Sequence, residues 1–323
     1  MSNDIFVLIE HRDGVVAETS FELIGKAKEL AGESGGAAVA VILGDGAATL
    51  TGKLGAADRA IVIDGPGVAQ FTPTGYTAAL KPVLGEHEPL LMLFPNSAVG
   101  MDVAAGLSQA ADLPLAAYAV DLKLADGQPV VTSQVYGGKI NAEMKFTKGR
   151  GIVTVIAGSF PADAGQQDGS PEIQSVSTDA SDSRVRFKKL IAPEAGDVDI
   201  TKESVLVSVG RGVEEEDNIE LAQELADALG GAVSASRPVV DAGWLPKTRQ
   251  VGKSGLKVKP KLYLAVGISG APEHLEGMRD AELIIAVNSD ENAPIFSVAH
   301  YGVVGDLFDL LPSLTEKIQE RVG

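Results

Sequence analysis

Apolar runs alternate with helical patterns through the first 111 residues of the chain. Four short runs have the composition of buried strands. They lie at residues 5–9, 37–43, 60–63 and 90–94. Apolar residues with helical spacing lie between these runs, at residues 21–31, 78–84 and 103–111. The first helix has a candidate cap at Thr19-Ser20. Strands that alternate with helices predict a mostly parallel sheet with helices on both faces.

The pattern changes near Leu115. Four strand-like stretches follow one another with short turns and no helical pattern between them. They lie at residues 117–124, 129–136, 139–146 and 152–157. We expect antiparallel strands that extend the first sheet. Residues 161–183 are polar and rich in small side chains, which predicts a surface loop, and residues 185–190 read as one more strand.

The alternation of strands and helices returns after a linker at residues 192–197. Strands are predicted at residues 205–209, 231–234 and 262–266, with two more strand-like runs before Leu311, and helices at 219–229 and 314–322. We divide the chain into domains at residues 1–194 and 195–323. The predicted fold class is α/β: an N-terminal, mostly parallel α/β domain with added antiparallel strands, and a C-terminal doubly wound parallel sheet.

Composition narrows the possible functions. With 323 residues, of which 45% are apolar, the chain can form two cores. A net charge of −17 disfavours nucleic acid and anionic lipid as partners. Because the chain has no cysteine, thiolate metal sites, cysteine-ligated iron–sulfur clusters and a catalytic thiol are excluded within it. Electron chemistry would then come from an organic cofactor. No basic leader precedes the first strand and no apolar stretch reaches membrane-spanning length, so we expect a soluble, cytoplasmic protein.

A glycine-bounded turn is the best candidate for a binding site. The strand at residues 262–266 runs into Gly267-Ile268-Ser269-Gly270, and a helix begins soon after, with His274 in its first turn. Backbone N–H groups in such a turn can approach an anion, and the helix adds its positive end. Gly210-Arg211-Gly212 follows another strand, at the sheet edge where ligands bind in α/β folds. The long loop at residues 236–256 holds the only tryptophan and several cations, and loops of this length are usually functional.

The same turn permits a hydrolase interpretation. Ser269 stands at the apex of a strand–turn–helix, and Asp290 and His300 follow in the chain order of an α/β-hydrolase. Against it, Ala271 replaces the last glycine of that motif and His300 falls within an apparent strand. A phosphate-binding loop at residues 252–254 is disfavoured because Lys247 stands where its motif needs glycine.

Residues 205–311 closely resemble the C-terminal domain of the electron transfer flavoprotein α-subunit family. The resemblance is carried by long stretches rather than single residues. They are Leu262 to Gly270, Gly277-Met278, Asn288, Ala293 to Phe296, Tyr301-Gly302, Asp306 to Phe308, Ser236 to Pro238, Asp241 to Gly243, and Gln250 to Gly252. The N-terminal part matches more loosely, at Glu10-His11 and at Glu22 to Ile24.

The resemblance implies that the second domain binds FAD. Arg211 would face the phosphates and ribityl chain, the Arg237 guanidinium would lie near the flavin ring and raise its reduction potential, and the Ser254 hydroxyl would contact flavin N5. His274 would lie at the O2 edge. The full set of implied contacts is Arg211, Ser236, Arg237, Val251, Gly252, Lys253, Ser254, Ser269, Gly270, Ala271, Pro272, Glu273, His274, Asn288, Asp306 and Leu307, of which the last two and Asn288 would hold the adenosine end.

The family also implies partners and a role. The chain would form a heterodimer with a β subunit that covers the flavin and carries AMP. It would act as an electron carrier rather than an enzyme, taking electrons from acyl-CoA or other flavin dehydrogenases, as in fatty acid β-oxidation, and passing them to a quinone-linked oxidoreductase. The alternative within the family is a flavin-bifurcating protein that uses NADH and ferredoxin.

Three positions depart from the family pattern. Pro272-Glu273 stands where many relatives have Ile-Gln, and a buried Glu273 would oppose negative charge on the flavin. Lys253 replaces a common glutamine and could form an ion pair with Glu273. His300 replaces a frequent aspartate, with no consequence that we can derive.

Overall fold

In the computed structural model the described residues are 2–12, 14–136, 138–180, 185–189 and 198–322. The chain divides into two compact units, Met1–Lys189 and Leu190–Gly323. The boundary predicted between residues 194 and 195, with its linker, lies outside the described residues and stays a prediction.

The first unit contains a nine-stranded sheet within the described residues, in the order β11-β5-β4-β1-β6-β10-β7-β8-β9. Its strands and helices, with the short β2–β3 hairpin, have the following bounds: β1 Ile5–Ile9, β2 His11–Arg12, β3 Val15–Val16, α1 Glu18–Ser34, β4 Ala38–Leu43, β5 Arg59–Asp64, α2 Pro73–His87, β6 Leu91–Pro95, α3 Ala98–Ala111, β7 Leu115–Ala125, β8 Gln128–Val135, β9 Ile140–Lys145, β10 Gly151–Val155 and β11 Glu172–Ser177.

The central strands of this sheet are buried on both faces. In β1, Ile5 and Val7 pack into the core that includes α1, whereas Phe6 and Leu8 pack into the opposite core with α2 and α3. Two covered faces explain why the strand is an uninterrupted apolar run. The predicted parallel sheet with helices on both faces is confirmed for this part of the unit.

The expectation of four appended antiparallel strands is correct for β7, β8 and β9 and wrong for β10. β10 lies between β6 and β7 and runs parallel to both. All five of its residues are buried, whereas nearly all of β9 is exposed. A strand with two apolar faces is most stable inside the sheet, so the chain returns there after the β8–β9 arm.

The predicted loop at residues 161–183 contains β11, which pairs in parallel with β5 along its whole length. Its side chains are mostly exposed because it forms an edge of the sheet, where polar residues are tolerated and no apolar run signals a strand. The strand predicted at residues 185–190 is not formed at residues 185–189, and Leu190 lies outside the described residues.

The predicted cap of α1 is also displaced. The helix begins at Glu18, after Ala17, so that Thr19 and Ser20 lie inside its first turn. Ser20 is fully buried, and its hydroxyl oxygen accepts a hydrogen bond of 2.9 Å from the Glu10 N–H. This contact joins the helix to the end of β1, and no local pattern in the sequence signals it.

The second unit is a five-stranded, wholly parallel sheet in the order β13-β12-β14-β15-β16, as far as the structure is described. Its elements have these bounds: β12 Val205–Val209, α4 Ile219–Ala228, β13 Ala232–Ala235, α5 Arg237–Asp241, β14 Leu262–Val266, α6 Pro272–Met278, β15 Leu283–Asn288, β16 Tyr301–Val304 and α7 Leu307–Val322. In β14, Tyr263 and Ala265 face one core, and Leu264 and Val266 face the other. The predicted doubly wound sheet is confirmed.

The terminal helix α7 begins seven residues earlier than predicted, at Leu307 instead of 314. Leu307 and Leu311 are buried in the core that packs against α4. No helix among the described residues has the length and apolar character that crossing a bilayer requires.

Candidate functional site

A cavity of about 830 Å³ lies at the carboxyl ends of the strands of the second unit. From β12 the chain passes to β13 on one side and later returns to β14 on the other, so the ends of β12 and β14 form a topological switch point. Ligands of open α/β sheets bind at such points because the loops there diverge and leave a crevice. The volume is in the range of sites for small molecules and cofactors.

Most of the predicted contact residues line this cavity. They are Arg211, Ser236, Arg237, Val251, Gly252, Lys253, Ser254, Ser269, Gly270, Ala271, Glu273, His274 and Asn288. The structure therefore brings five segments that are separated in the sequence around one space. Their individual contacts with a cofactor stay predictions.

Three predicted residues are not in the cavity lining. Pro272 is exposed at the first position of α6, where its fixed φ suits a helix start. Asp306 is exposed and its carboxylate accepts a hydrogen bond of 2.9 Å from the Phe308 N–H at the start of α7. Leu307 is buried in the hydrophobic core that β12, β14 and α4 share. The role predicted for these three in holding the cofactor stays a prediction.

Sequence reasoning missed six lining residues: Gly212, Pro238, Asp241, Gln250, Gly267 and Ile268. All except Gly212 lie in the stretches that carried the family resemblance, and Gly212 lies in the tripeptide after β12. The family resemblance could therefore have identified these residues. They were missed because they shape the site through their backbone or through contacts with other side chains, and not through reactive groups of their own.

Glycines let the loops after β12 and β14 touch backbone to backbone. A Cβ on Gly210 would lie 2.2 Å from the Gly267 carbonyl oxygen. The Gly210 N–H donates to Val266 at 2.8 Å and the Gly212 N–H donates to Gly267 at 3.0 Å. Gly267 itself has φ of +62°, which L side chains rarely adopt. Any larger residue at these positions would separate the two loops that form the base of the cavity.

The segment from Gln250 to Leu256 forms a tight turn against α6. The Gly252 N–H and Gln250 carbonyl both bond to Leu256, at 3.1 and 2.7 Å, which closes the turn. The Lys253 N–H donates to the Glu273 carbonyl at 2.7 Å, and a Cβ on Gly252 would lie 2.8 Å from the same oxygen. The turn is therefore fixed to the first turn of α6, which places Ser254 and His274 on one wall.

The charged side chains of the wall are partly paired. Arg237 Nε lies 3.1 Å from an Asp241 carboxylate oxygen, four residues along the same short helix, and both side chains are exposed. Lys253 Nζ lies 3.9 Å from a carboxylate oxygen of Glu276. The predicted Lys253–Glu273 pair stays a prediction. Glu273 is exposed rather than buried, so the electrostatic effect expected of a buried Glu273 would be reduced by solvent.

His274 is one of three buried polar side chains in the described cavity lining, with Ser236 and Gln250. It is 6% exposed, and its Nε2 lies 2.9 Å from the Tyr263 hydroxyl, which lies 2.7 Å from Ser208 Oγ. Burial lowers the pKa of His274 to about 4, and the Val251 carbonyl opposes part of that decrease. The ring is therefore neutral at pH 7. Nδ1 is buried and makes no well-aligned hydrogen bond in the described part of the chain, although the Val251 carbonyl acts on the ring as a weak acceptor.

Tyr263 supports this histidine from inside the sheet. The residue is completely buried, and its burial raises the pKa of the hydroxyl, so it remains protonated at physiological pH. Because the hydroxyl touches Nε2, Nδ1 is the ring nitrogen left for a ligand. A buried nitrogen without a well-aligned partner is uncommon, and a ligand group in the cavity would supply one.

Asn288 ties the last strand end to the glycine turn. Its side-chain amide donates to the Ile268 carbonyl at 2.9 Å, and its side-chain oxygen accepts from the Asp290 N–H at 2.9 Å. The amide thereby holds the end of β15 against the turn after β14.

The structure does not assemble the hydrolase triad. His300 Nδ1 accepts a 2.9 Å hydrogen bond from the Ile284 N–H. Ile284 pairs with Tyr263, three residues before the end of β14, whereas Ser269 lies beyond that end. At roughly 3.3 Å per strand residue the two groups are separated by about 10 Å or more along the sheet.

The lining fits a dinucleotide cofactor. The turn after β14 and the start of α6 offer backbone N–H groups to phosphates, Arg211 and Arg237 offer positive charge, and Val251 and Ile268 offer apolar surface to a ring. The His274 Nδ1, which lacks a well-aligned protein hydrogen bond, offers one polar contact at a defined place. These are the kinds of group that cofactor sites combine.

Comparisons with known proteins match both units. A family model described as "Electron transfer flavoprotein FAD-binding domain" matches residues 199–279, and one described as "Electron transfer flavoprotein domain" matches residues 5–181. The chain is 32% identical over 322 residues to the electron transfer flavoprotein subunit alpha of Bacillus subtilis (strain 168), covering 99% of this chain and 98% of that protein.

Two further relatives are similar over nearly their whole length. The electron transfer flavoprotein subunit alpha of Thermoanaerobacterium thermosaccharolyticum is 35% identical over 323 residues, covering 98% of each chain. The acryloyl-CoA reductase electron transfer subunit beta of Anaerotignum propionicum is 34% identical over 351 residues, covering 98% of this chain and 96% of that protein.

Proposed function

The chain belongs to the electron transfer flavoprotein α-subunit family, and from that membership we propose that it is the FAD-holding subunit of a heterodimeric electron carrier. The observation that supports this proposal best is the position of the cavity. Nearly all of its lining lies within residues 199–279, the part of the chain that the FAD-binding domain model matches.

FAD, when bound, supplies the electron chemistry, and the protein supplies binding and electrostatics. In the proposal, the turn Gly267–Gly270 and the start of α6 hold phosphate oxygens through backbone N–H groups, and Arg211 adds positive charge. Val251 and Ile268 cover part of the ring system. These residues bind and orient without taking part in a bond-making step.

Three groups of this chain, Arg237, Asp241 and His274, would contribute to the electrostatics around the ring. Arg237 adds positive charge that Asp241 partly cancels at 3.1 Å. His274 is neutral at pH 7 because burial lowers its pKa to about 4, so it contributes a hydrogen bond rather than a charge. A neutral histidine donates or accepts one hydrogen bond at Nδ1 without the cost of a buried cation.

The proposed partners follow from the family. A β subunit with bound AMP would complete the heterodimer and cover the flavin, acyl-CoA or other flavin dehydrogenases would donate electrons, and a quinone-linked oxidoreductase would accept them. The similarity to a protein named as an electron transfer subunit of acryloyl-CoA reductase supports enzymes of acyl-CoA chemistry as partners.

The test is a reduction experiment on the heterodimer. The chain is co-expressed with the β-type subunit, and the absorbance of the bound flavin is followed after addition of catalytic acyl-CoA dehydrogenase with its acyl-CoA. We expect the flavin to bleach, and to recover when a quinone-linked acceptor is added. A flavin that stays oxidised with every flavin dehydrogenase tried would refute the carrier role.

The same experiment separates the bifurcating alternative. NADH is added to the heterodimer without any dehydrogenase, with and without ferredoxin. The carrier proposal expects no reduction of flavin by NADH alone. Rapid reduction by NADH, accompanied by reduction of ferredoxin when an acyl-CoA enzyme is present, would replace the carrier with the bifurcating role.

A further inference from the structure

The side-chain amide of Gln250 is completely buried. Gln250 is not among the predicted cofactor contacts. It is 0% exposed, yet it belongs to the cavity lining. Burying an amide is favourable only if its donor and acceptor find partners, since an unpaired group costs about 1–3 kcal/mol. Both ends of Gln250 are paired, and the two partners differ in what they can donate.

Lys247 determines the orientation of the amide. Its Nζ lies 2.8 Å from Gln250 Oε1. An ammonium group has three donors and no acceptor, so the atom that faces it must be the amide oxygen and not the nitrogen. The choice between oxygen and nitrogen, which is usually assigned from the surroundings, is here fixed by chemistry.

The orientation of the amide in turn determines the role of Ser254. Gln250 Nε2 lies 2.9 Å from Ser254 Oγ and can only donate. The serine oxygen therefore accepts this bond, and its own hydrogen remains available. In the part of the chain that the structure describes, no protein atom accepts that hydrogen, and Ser254 is an exposed residue of the cavity wall.

The backbone makes this arrangement rigid. Gln250 and Leu256 close the turn through the bond from the Leu256 N–H to the Gln250 carbonyl, and a Cβ on Gly255 would lie 2.3 Å from that carbonyl oxygen. Ser254 therefore sits near the apex of the turn, four residues from the amide at its base. A side chain at the base that reaches the apex holds the serine hydroxyl in one direction.

We propose that Gln250 is a positioning residue: held by Lys247, it keeps the Ser254 hydroxyl as a hydrogen-bond donor to an acceptor atom of the bound cofactor. The chain of donors runs one way, from the Lys247 ammonium through the Gln250 amide to the Ser254 hydroxyl. A donor at that point favours added electron density on the cofactor and so raises its reduction potential. The inference rests on the proposed function, because it requires FAD in the cavity.

The test reverses the middle link of this chain. Gln250→Glu keeps the shape and the contact with Lys247, but a carboxylate only accepts, so the Ser254 hydroxyl must donate to it and turn its lone pairs to the cofactor. The variants Gln250→Glu, Ser254→Ala and their combination are made in the full chain with its β subunit. FAD affinity is measured by titration of the stripped heterodimer, and the reduction potential of the bound flavin by stepwise reduction.

We expect Gln250→Glu to weaken FAD binding about tenfold and to lower the flavin potential. A new negative charge alone would lower the potential in any background. The informative quantity is therefore the difference between backgrounds: in the Ser254→Ala background, the same change should weaken FAD binding by about threefold or less. The control is Gln223→Glu, the same chemical change at an exposed residue of α4 outside the cavity, which should leave both quantities unchanged.

Equal effects of Gln250→Glu in both backgrounds, or wild-type affinity and potential in the single variant, would overturn the inference. If Gln250→Glu does not fold, Gln250→Met replaces it: the serine hydroxyl is then unrestrained, and FAD should bind about threefold more weakly, again only when Ser254 is present. Equal effects of Gln250→Met in both backgrounds would likewise overturn it. A wild-type heterodimer that holds no FAD would instead refute the proposed function.

Discussion

His274 has two ring nitrogens in different surroundings. Nε2 is fixed by the Tyr263 hydroxyl at 2.9 Å, and Nδ1 is buried without a well-aligned hydrogen bond among the described residues. The protein thus excludes water from a nitrogen for which it supplies only a poorly aligned acceptor, the Val251 carbonyl. That cost is expected at a functional site, where a ligand completes the hydrogen bond.

The burial of His274 predicts a pH-dependent stability. Its pKa in the folded chain is lowered to about 4, against about 6.5 for an ordinary histidine in the unfolded chain. Between these values the unfolded state binds more protons, so stability falls as pH falls. Going from pH 7 to pH 5, this residue should cost about 2 kcal/mol of unfolding free energy.

Denaturant unfolding of the FAD-stripped chain at both pH values checks this expectation. The His274→Gln variant cannot take up the proton and should lose about 2 kcal/mol less than the wild type over the same interval. Parallel losses in the two proteins would show that His274 is not the group responsible.

Arg237 and Asp241 oppose one another beside the cavity. Since an exposed pair of this kind interacts by about 0.2–1 kcal/mol, each partner partly cancels the field of the other. An exposed charge that interacts with the flavin as strongly as it does with such a partner shifts a one-electron potential by about 10–40 mV. Removing the cation with Arg237→Ala should therefore lower the flavin potential by about this amount, and Asp241→Asn should raise it. Potentiometric titration of the two variants measures both shifts. Changes of the same sign would contradict the assigned electrostatic role.

At the scale of elements, the cavity depends on loops that approach one another more closely than side chains permit. The loops after β12 and β14 meet at Gly210 and Gly267, and the turn at residues 250–256 meets α6 at Gly252. The helices and strands thus supply a frame, and glycine contacts determine the width of the space between them.

Gly210→Ala tests the closest of these contacts. Gly210 has φ of −109°, which alanine accepts, so the cost comes only from the Cβ that would lie 2.2 Å from the Gly267 oxygen. We expect a loss of about 1–3 kcal/mol in unfolding free energy and weaker FAD binding.

The control for Gly210→Ala is Gly85→Ala, in α2, where a Cβ would meet nothing within 4 Å. In that helix the change should be neutral or slightly stabilising. Wild-type stability and FAD affinity in Gly210→Ala would show that the two loops can separate without consequence.

The elements themselves were largely predictable where burial is two-sided. Strands such as β1 and β14 are apolar along their whole length because both of their faces are covered. Their sequence pattern therefore predicts both that they are strands and that they lie inside a sheet. β11 was not predicted because it is an edge strand that is stabilised by backbone pairing with β5. Such pairing requires no run of apolar residues in the sequence. The order of β10 depended on which neighbour buries it best, a property of the whole sheet.

The candidate site was likewise predictable only in part. Family resemblance identified most of the lining, but not the partners that define its chemistry. The contact of Tyr263 with His274 comes from the way strand β14 and helix α6 pack, and no spacing rule specifies it. The contact of Lys247 with Gln250 spans a short 3-10 turn that no pattern in the sequence predicts. Asp241 lies four residues after Arg237, the spacing at which side chains meet on a helix. This contact was missed as well, because helix α5 forms where the sequence predicts a loop.

At the scale of the whole molecule, the dominant feature is negative charge. The net charge is −17, and the cations near the cavity are partly paired. A carrier that meets several enzymes in turn benefits from long-range attraction, which speeds encounter without tight binding. Partners with basic docking surfaces would suit this chain.

Ionic strength tests that electrostatic docking. Because the screening length shortens from about 10 Å at 0.1 M salt to about 3 Å at 1 M, the bimolecular rate of electron transfer from a dehydrogenase should fall by about tenfold or more over that range. Stopped-flow traces of flavin reduction at several salt concentrations measure this rate. A rate independent of salt would refute attraction by the acidic surface.

The central claim, that the cavity of the second unit holds FAD, is tested most directly by measuring the flavin content of the purified heterodimer. The complex is denatured, and the released cofactor is identified by chromatography and quantified against protein. The account predicts one FAD per α chain in the wild-type complex. It predicts a lower FAD content in the Gly210→Ala variant, in which the loops are displaced. A colourless complex that neither contains FAD nor takes it up would contradict it.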